Sequence, residues 1–185
     1  GSVTFREEWT EELSSAYMSP IFEVPPYLNP DVPMVLEWLR NRNKLIGLIC
    51  NIGLTPGSGL RRFLSEESVT KYFDVMIFSD EVGVRKPDPR IFYLVAERLK
   101  VKPCEIVHVG DNLRTDVWGA KNAGLKAIYL LSDVGHDRIA ESDPTSLVSL
   151  SRRLGNLRGD QIVPDVSITS LCMITKAIKQ LEESV

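Results

Sequence analysis

Four short apolar runs, each breaking off into a polar loop, constrain this chain of 185 residues more than any other feature. They are residues 45–50 (LIGLIC), 74–78 (DVMIF), 106–109 (IVHV) and 127–131 (AIYLL). Unbroken apolar runs of this length fit strands covered on both faces; half-exposed strands would alternate. Helical patterns lie between them. Asn29-Pro30-Asp31 predicts a helix start, with Val32, Val35, Leu36 and Leu39 forming one apolar stripe behind it. Leu60 to Phe73 predicts a helix with a break. Arg90 to Lys100 predicts another, with Ile91, Phe92, Leu94, Val95 and Leu99 on its apolar side, and a further helix closes on Gly124. Val166 to Leu171 predicts a last short strand and Met173 to Glu183 a last helix; residues 132–160 carry no clear pattern. Strands alternating with helices imply an α/β, Rossmann-like three-layer core with a parallel sheet.

Composition narrows the function classes. The chain is 43% hydrophobic and 25% charged with net charge -3, so nothing in its charge calls for nucleic acid. No apolar run approaches the roughly 18 residues of a membrane span. Cys50, Cys104 and Cys172 are odd in number and lack CxxC spacing, which argues against a disulfide framework or structural zinc and fits a cytoplasmic location. His108, inside an apolar run, is expected to be a packed, satisfied core histidine. Gly1-Ser2 reads as a cloning scar.

Ligands of parallel α/β sheets bind outside the carboxyl ends of the strands. Asn51, Lys86, Asp111 and Asp116 all lie in loops that follow strands, so the fold should bring them to one rim. Two carboxylates beside a helix start suit a hard cation such as magnesium, which takes oxygen ligands and often bridges to phosphate. A neighbouring lysine can neutralise a phosphate oxygen or hold a carboxylate in place. The glycine-containing loop after Cys50-Asn51 offers backbone N–H groups to an anion. Cation, lysine and anion cradle are the parts of a phosphoryl-transfer site.

Two stretches carry a family resemblance: residues 24–53 (VPPYLNPDVPMVLEWLRNRNKLIGLICNIG) and 83–130 (GVRKPDPRIFYLVAERLKVKPCEIVHVGDNLRTDVWGAKNAGLKAIYL). They resemble the second, third and fourth motifs of the haloacid dehalogenase-like (HAD) hydrolase superfamily, in particular its phosphatase branch with a helical cap. The resemblance implies a magnesium-dependent hydrolase of a small phosphorylated molecule, working through an aspartyl-phosphate. Lys86 would be the catalytic lysine that steadies the phosphate. Asp111 would be a magnesium ligand, and Asp116 a catalytic and metal-site residue that orients the metal's water or pairs with Lys86. Cys50 and Asn51 would join Lys86 at the phosphate. Residues 1–24 would be a remnant of the helical cap, and residues 25–185 the core without its first strand.

Two departures from the family pattern follow. Cys50 stands where the family has a serine or threonine, and a thiol is a poor hydrogen-bond donor. The family's nucleophile, an aspartate in a DxDxT motif on a first, central strand, has no counterpart before the cap remnant. A fragment, a second chain or homo-oligomer completing the sheet, or a substitute strand would each resolve this. Asp165, Ser167 and Thr169 loosely mimic the motif, but Pro164 before them fits an edge strand better than a central one. The alternative function is an inactive binding or regulatory module completed by a partner. A response-regulator receiver is set aside, because there the acids precede the lysine, whereas Lys86 precedes Asp111.

Overall fold

The computed structural model describes residues 12, 15–17, 19, 21–53, 55–131 and 162–183. Within residues 1–24, those described are helical up to Glu23, and the chain then extends through Pro25 and Pro26. Helix α1 (Asp31–Arg40) follows, its start held by the Asn29 side-chain carbonyl accepting the Asp31 N–H at 2.9 Å. Then come β1 (Gly47–Cys50), α2 (Gly57–Glu66), β2 (Val75–Phe78) and α3 (Pro89–Leu99). After β3 (Val107–Gly110) the chain makes a wide π-type turn at Leu113–Trp118 and runs into α4 (Gly119–Asn122). Strands β4 (Lys126–Leu130) and β5 (Val166–Ile168) and helix α5 (Ile174–Glu183) follow, and short helical turns, among them Ser79–Val82, lie between the named elements. The unassigned stretch 132–160 lies outside the described residues.

The predicted elements are present, with one informative displacement. Helix α2 begins at Gly57, three positions before the expected Leu60. Its first N–H groups need acceptors, and the Asp80 carboxylate, from the helical turn Ser79–Val82 after β2, accepts the Gly57 N–H at 2.9 Å. A cap supplied from a distant segment leaves no local sequence signal.

All described strand pairs are parallel, but they form two sheets: β1 with β2, and β3 with β4 and β5. Helices α3 and α4 cover one face, where Ile77, Ile91, Phe92, Val95, Val117 and Ala120 form a buried cluster. Helices α1 and α5 cover the other, where Val35 packs with Ile128, Ile168, Ile174, Ala177 and Leu181. This is the three-layer α/β core that the alternation of patterns predicts. Alternate strand residues face opposite layers, so Ile128 and Ala127, both fully buried, serve different clusters.

Ile128 sits beneath α1 and α5 with no exposed surface. Ile128→Ala is expected to destabilise the chain by roughly 2–5 kcal/mol, read as a lowered urea midpoint with unchanged slope. A loss below about 0.5 kcal/mol would place Ile128 outside the load of the core.

Candidate functional site

The site is assembled from the loops after β1, β2 and β3. Asn51, directly after β1, clamps the loop after β2: its side-chain amide donates to the Lys86 carbonyl at 2.8 Å and accepts the Lys86 N–H at 2.8 Å. The clamp fixes the root of the Lys86 side chain. Lys86 Nζ then donates to Asp116 Oδ1 at 2.6 Å and to the Ile49 carbonyl of β1 at 3.2 Å. One ammonium group thus bridges the carboxyl end of β1 and the turn after β3.

Asp116 reaches this position because the turn after β3 folds back on the strand. A Cβ on Gly110 would lie 2.4 Å from both Cβ and Cγ of Asp116, so the close approach requires glycine there. Asn112 secures the turn by accepting the N–H groups of Arg114 and Thr115. Asp116 Oδ2 accepts the Asn112 N–H at 3.0 Å, while His108 Nε2 lies 3.2 Å from Oδ1. The side chains of Lys86 and Asp116 are 12% and 6% exposed, so solvent screens this pair little.

Burial by itself would raise the Asp116 carboxyl, but the His108 hydrogen bond and the Lys86 charge outweigh it and hold the group well below the usual carboxylate range. Asp116 is therefore an anion at any physiological pH. Burial pushes His108 below its ordinary value, and the neighbouring Asp116 only partly opposes this. A neutral imidazole can meet the carboxylate only as a donor, so Nε2 carries the hydrogen. Its ring also stands edge-on to Phe92, with centroids 5.2 Å apart. His108 is packed and satisfied, as expected of a core histidine, but its partner is a site residue. The signal was the strand period: residues 108 and 110 share a face of β3, the face onto which Asp116 folds.

The remaining expected residues separate into two groups. Asp111, half-buried just after β3, is among the residues lining a cavity between the sheets. Cys50 is half-buried, and burial pushes its thiol up despite the opposing Lys86 charge, so it stays protonated. Asn51, expected at the phosphate, uses both ends of its side-chain amide on the Lys86 peptide group. In the expected anion cradle, the Ile52 N–H goes to Ser79 Oγ at 2.8 Å and the Gly57 N–H to Asp80. Asp116, expected to share a metal with Asp111, has both oxygens engaged by protein donors. Among the described residues no group of three or more His, Cys, Asp or Glu side chains is placed to hold a metal. The substitute nucleophile is also elsewhere. Asp165 precedes β5, accepts the Ala127 N–H at 2.7 Å and pairs with Lys121, at the amino ends of the strands.

This rim agrees with the chain's relationships. Residues 6–124 match the haloacid dehalogenase-like hydrolase family, and residues 83–167 match the HAD-hydrolase-like family. The chain belongs to the HAD-like hydrolases. It is 39% identical over 101 residues to the phosphorylated carbohydrates phosphatase of Thermotoga maritima, covering 55% of this chain and 45% of that protein. It is 32% identical over 151 residues to the phosphoserine phosphatase of Thermus thermophilus, covering 82% and 56% respectively. A HAD phosphatase from Thermococcus onnurineus superposes with a TM-score of 0.66 at 30% identity, covering 88% of this chain and 64% of that one. This HAD-like chain thus spans about half the length of the curated relatives it matches. Among the described residues no helix is long and apolar enough to cross a membrane.

The depressed His108 value fixes a pH dependence. Below the ordinary histidine pKa of about 6.5 the unfolded chain binds a proton that the native chain refuses, so stability falls as pH drops from about 7 to 5. His108→Gln should flatten that slope in urea melts at stepped pH. An equally steep slope in the variant would show that His108 titrates normally in the native state.

Proposed function

We propose that this chain is part of a magnesium-dependent phosphatase acting on a small phosphate ester through an aspartyl-phosphate, with the nucleophilic aspartate lying outside these residues. The observation that carries the reading is the Lys86 ammonium, fixed at the carboxyl ends of β1 and β3 by Asn51 and Asp116. The 185 residues contain no DxD pair.

In this reading a carboxylate oxygen of the nucleophile attacks phosphorus, the phosphorus–oxygen bond to the ester breaks, and the leaving alkoxide takes up a proton. Water then attacks the phosphorus of the acyl-phosphate and releases inorganic phosphate and the free aspartate. The residues present here bind and orient. Lys86 offsets negative charge on the phosphoryl oxygens. Asp116, itself held by His108, keeps Lys86 at its post. Magnesium fits the donor chemistry in part: Asp111, which lines the cavity, would supply one carboxylate, and this ion commonly takes one or two carboxylates with waters and phosphate oxygens. When bound, it would neutralise charge on the transferring group. Asp116 would act on the metal's surroundings through Lys86. Residues 1–24 as cap remnant and a cytoplasmic setting belong to the same reading.

Cys50 favours a second reading. A protonated thiol stands where the family places a hydroxyl donor, which weakens phosphate binding and suits an inert HAD-fold module completed by another chain.

Calorimetry with inorganic phosphate in the presence of magnesium separates the two. The phosphatase reading predicts saturable binding that Lys86→Met weakens at least about tenfold, corresponding to loss of one charge-assisted hydrogen bond. Asp111→Asn should abolish the magnesium dependence. No turnover of p-nitrophenyl phosphate is expected from these residues alone. Phosphate binding indifferent to Lys86→Met, or turnover abolished by Asp165→Asn, would overturn the reading.

A further inference from the structure

Three consecutive residues after β2 grip the segment after β1 at three points. Ser79 Oγ accepts the Ile52 N–H at 2.8 Å, the Asp80 carboxylate accepts the Gly57 N–H at 2.9 Å, and Glu81 pairs with Arg61 at 2.7 Å. All three belong to the helical turn Ser79–Val82, and Arg61 also donates to the Met76 carbonyl of β2 at 3.0 Å. The turn is thereby a fixed platform. Asp80 and Glu81 act at and beyond the start of α2, whereas Ser79 acts on the residue next to Asn51. A serine at the start of a helical turn ordinarily spends its hydroxyl on an N–H of that turn. No side chain caps this turn, and the Ser79 hydroxyl oxygen is engaged across the gap by the loop after β1.

The register makes this contact consequential. Strands β1 and β2 pair Cys50 with Phe78, so Asn51 and Ser79 are the next positions along each chain. The Ile52 N–H lies in the rigid peptide plane between Asn51 and Ile52. Fixing that N–H sets the ψ angle of Asn51, and with it the direction in which the Asn51 side chain leaves the loop. That side chain holds the Lys86 peptide group at both ends, at 2.8 Å each. Lys86 Nζ then reaches Asp116 and the Ile49 carbonyl. The loop from β2 to α3 is therefore closed onto the loop after β1 twice: at Ser79 by Ile52, and at Lys86 by Asn51.

We propose that Ser79 is a positioning residue for Lys86: through the Ile52 N–H it orients Asn51, and Asn51 sets the lysine where it meets a phosphoryl group. The brace itself stands on these hydrogen bonds; its effect on phosphate deepens the phosphatase reading and rests on it. A different role for the same bond differs in sign. If Ser79 only withheld the Ile52 N–H from an anion, removing the hydroxyl would free a donor at the rim and tighten phosphate binding. A brace predicts weaker binding, because the freed N–H belongs to a loop that no longer orients Asn51, and a charge-assisted bond from Lys86 outweighs one from a neutral N–H.

The test uses the 185-residue chain with two readouts: backbone amide hydrogen exchange without ligand, and calorimetry with inorganic phosphate and magnesium. Ser79→Ala is expected to speed exchange of the Lys86 amide by about tenfold while the amides of β3 and β4 keep their rates. It should also weaken phosphate binding about fivefold, the loss of one neutral hydrogen bond. Ser79→Thr, which keeps the hydroxyl, should restore both. Ser79→Cys keeps the shape with a poor acceptor and should behave as the alanine variant, so the test stands even where Ser79→Ala does not fold. An unchanged Lys86 amide, exchange that speeds evenly through the chain, or tighter phosphate binding would overturn the proposal. Phosphate bound equally well by the wild-type and alanine forms would remove the positioning role and leave the phosphatase reading intact. Where the wild-type chain binds no phosphate, the phosphatase reading fails and the Lys86 amide decides alone: selective speeding, reversed by threonine, upholds the brace.

Discussion

The buried ion pair between Lys86 and Asp116 is the contact on which the rest of this structure depends. Its two partners come from loops after different strands, in different sheets, and Lys86 adds a bond to the Ile49 carbonyl of β1. No ladder joins β1 to β3 among the described residues, so this pair and the shared helix layers hold the two sheets in place. A buried pair of this kind is costly to break from one side, because the remaining charge has no solvent to turn to. Gly110, Asn112 and His108 all serve the acid, and Asn51 serves the lysine. The site is a network in which most side chains act on other side chains. Asp111, just after β3, is among the residues lining the cavity between the sheets.

Much of this was legible in the sequence, and for physical reasons. Apolar runs of strand length and stripes of helical period reflect burial, and burial is dictated by the layers, so elements and layer order could be read directly. The rule that loops after parallel strands share one rim brought Lys86 and Asp116 together before any coordinates. What escaped the sequence were contacts whose partners are distant. The Asp80 cap on α2, the clamp of Asn51 on the Lys86 loop and the fold-back of Asp116 onto Gly110 each join segments with no local pattern in common. Asn51 was expected at an anion because it follows a strand and begins a turn. Its amide instead matches a peptide group, donor to acceptor and acceptor to donor.

The HAD-like relationship and the geometry address different questions. Family membership gives the fold and points to phosphate chemistry, since the curated relatives reported above are named phosphatases. The geometry gives a lysine side chain fixed against a buried carboxylate at the carboxyl ends of β1 and β3. A cavity of about 880 Å³ lies between the two sheets.

A double-mutant cycle on Lys86→Met and Asp116→Asn, read by urea denaturation, tests the central pair most directly. The account predicts that each single substitution costs roughly 3–5 kcal/mol and that the double variant loses far less than the two together, a coupling well above about 1 kcal/mol. Additive losses would mean that the ammonium and the carboxylate do not meet in the folded chain, and the bridge between the two sheets would have to be sought elsewhere.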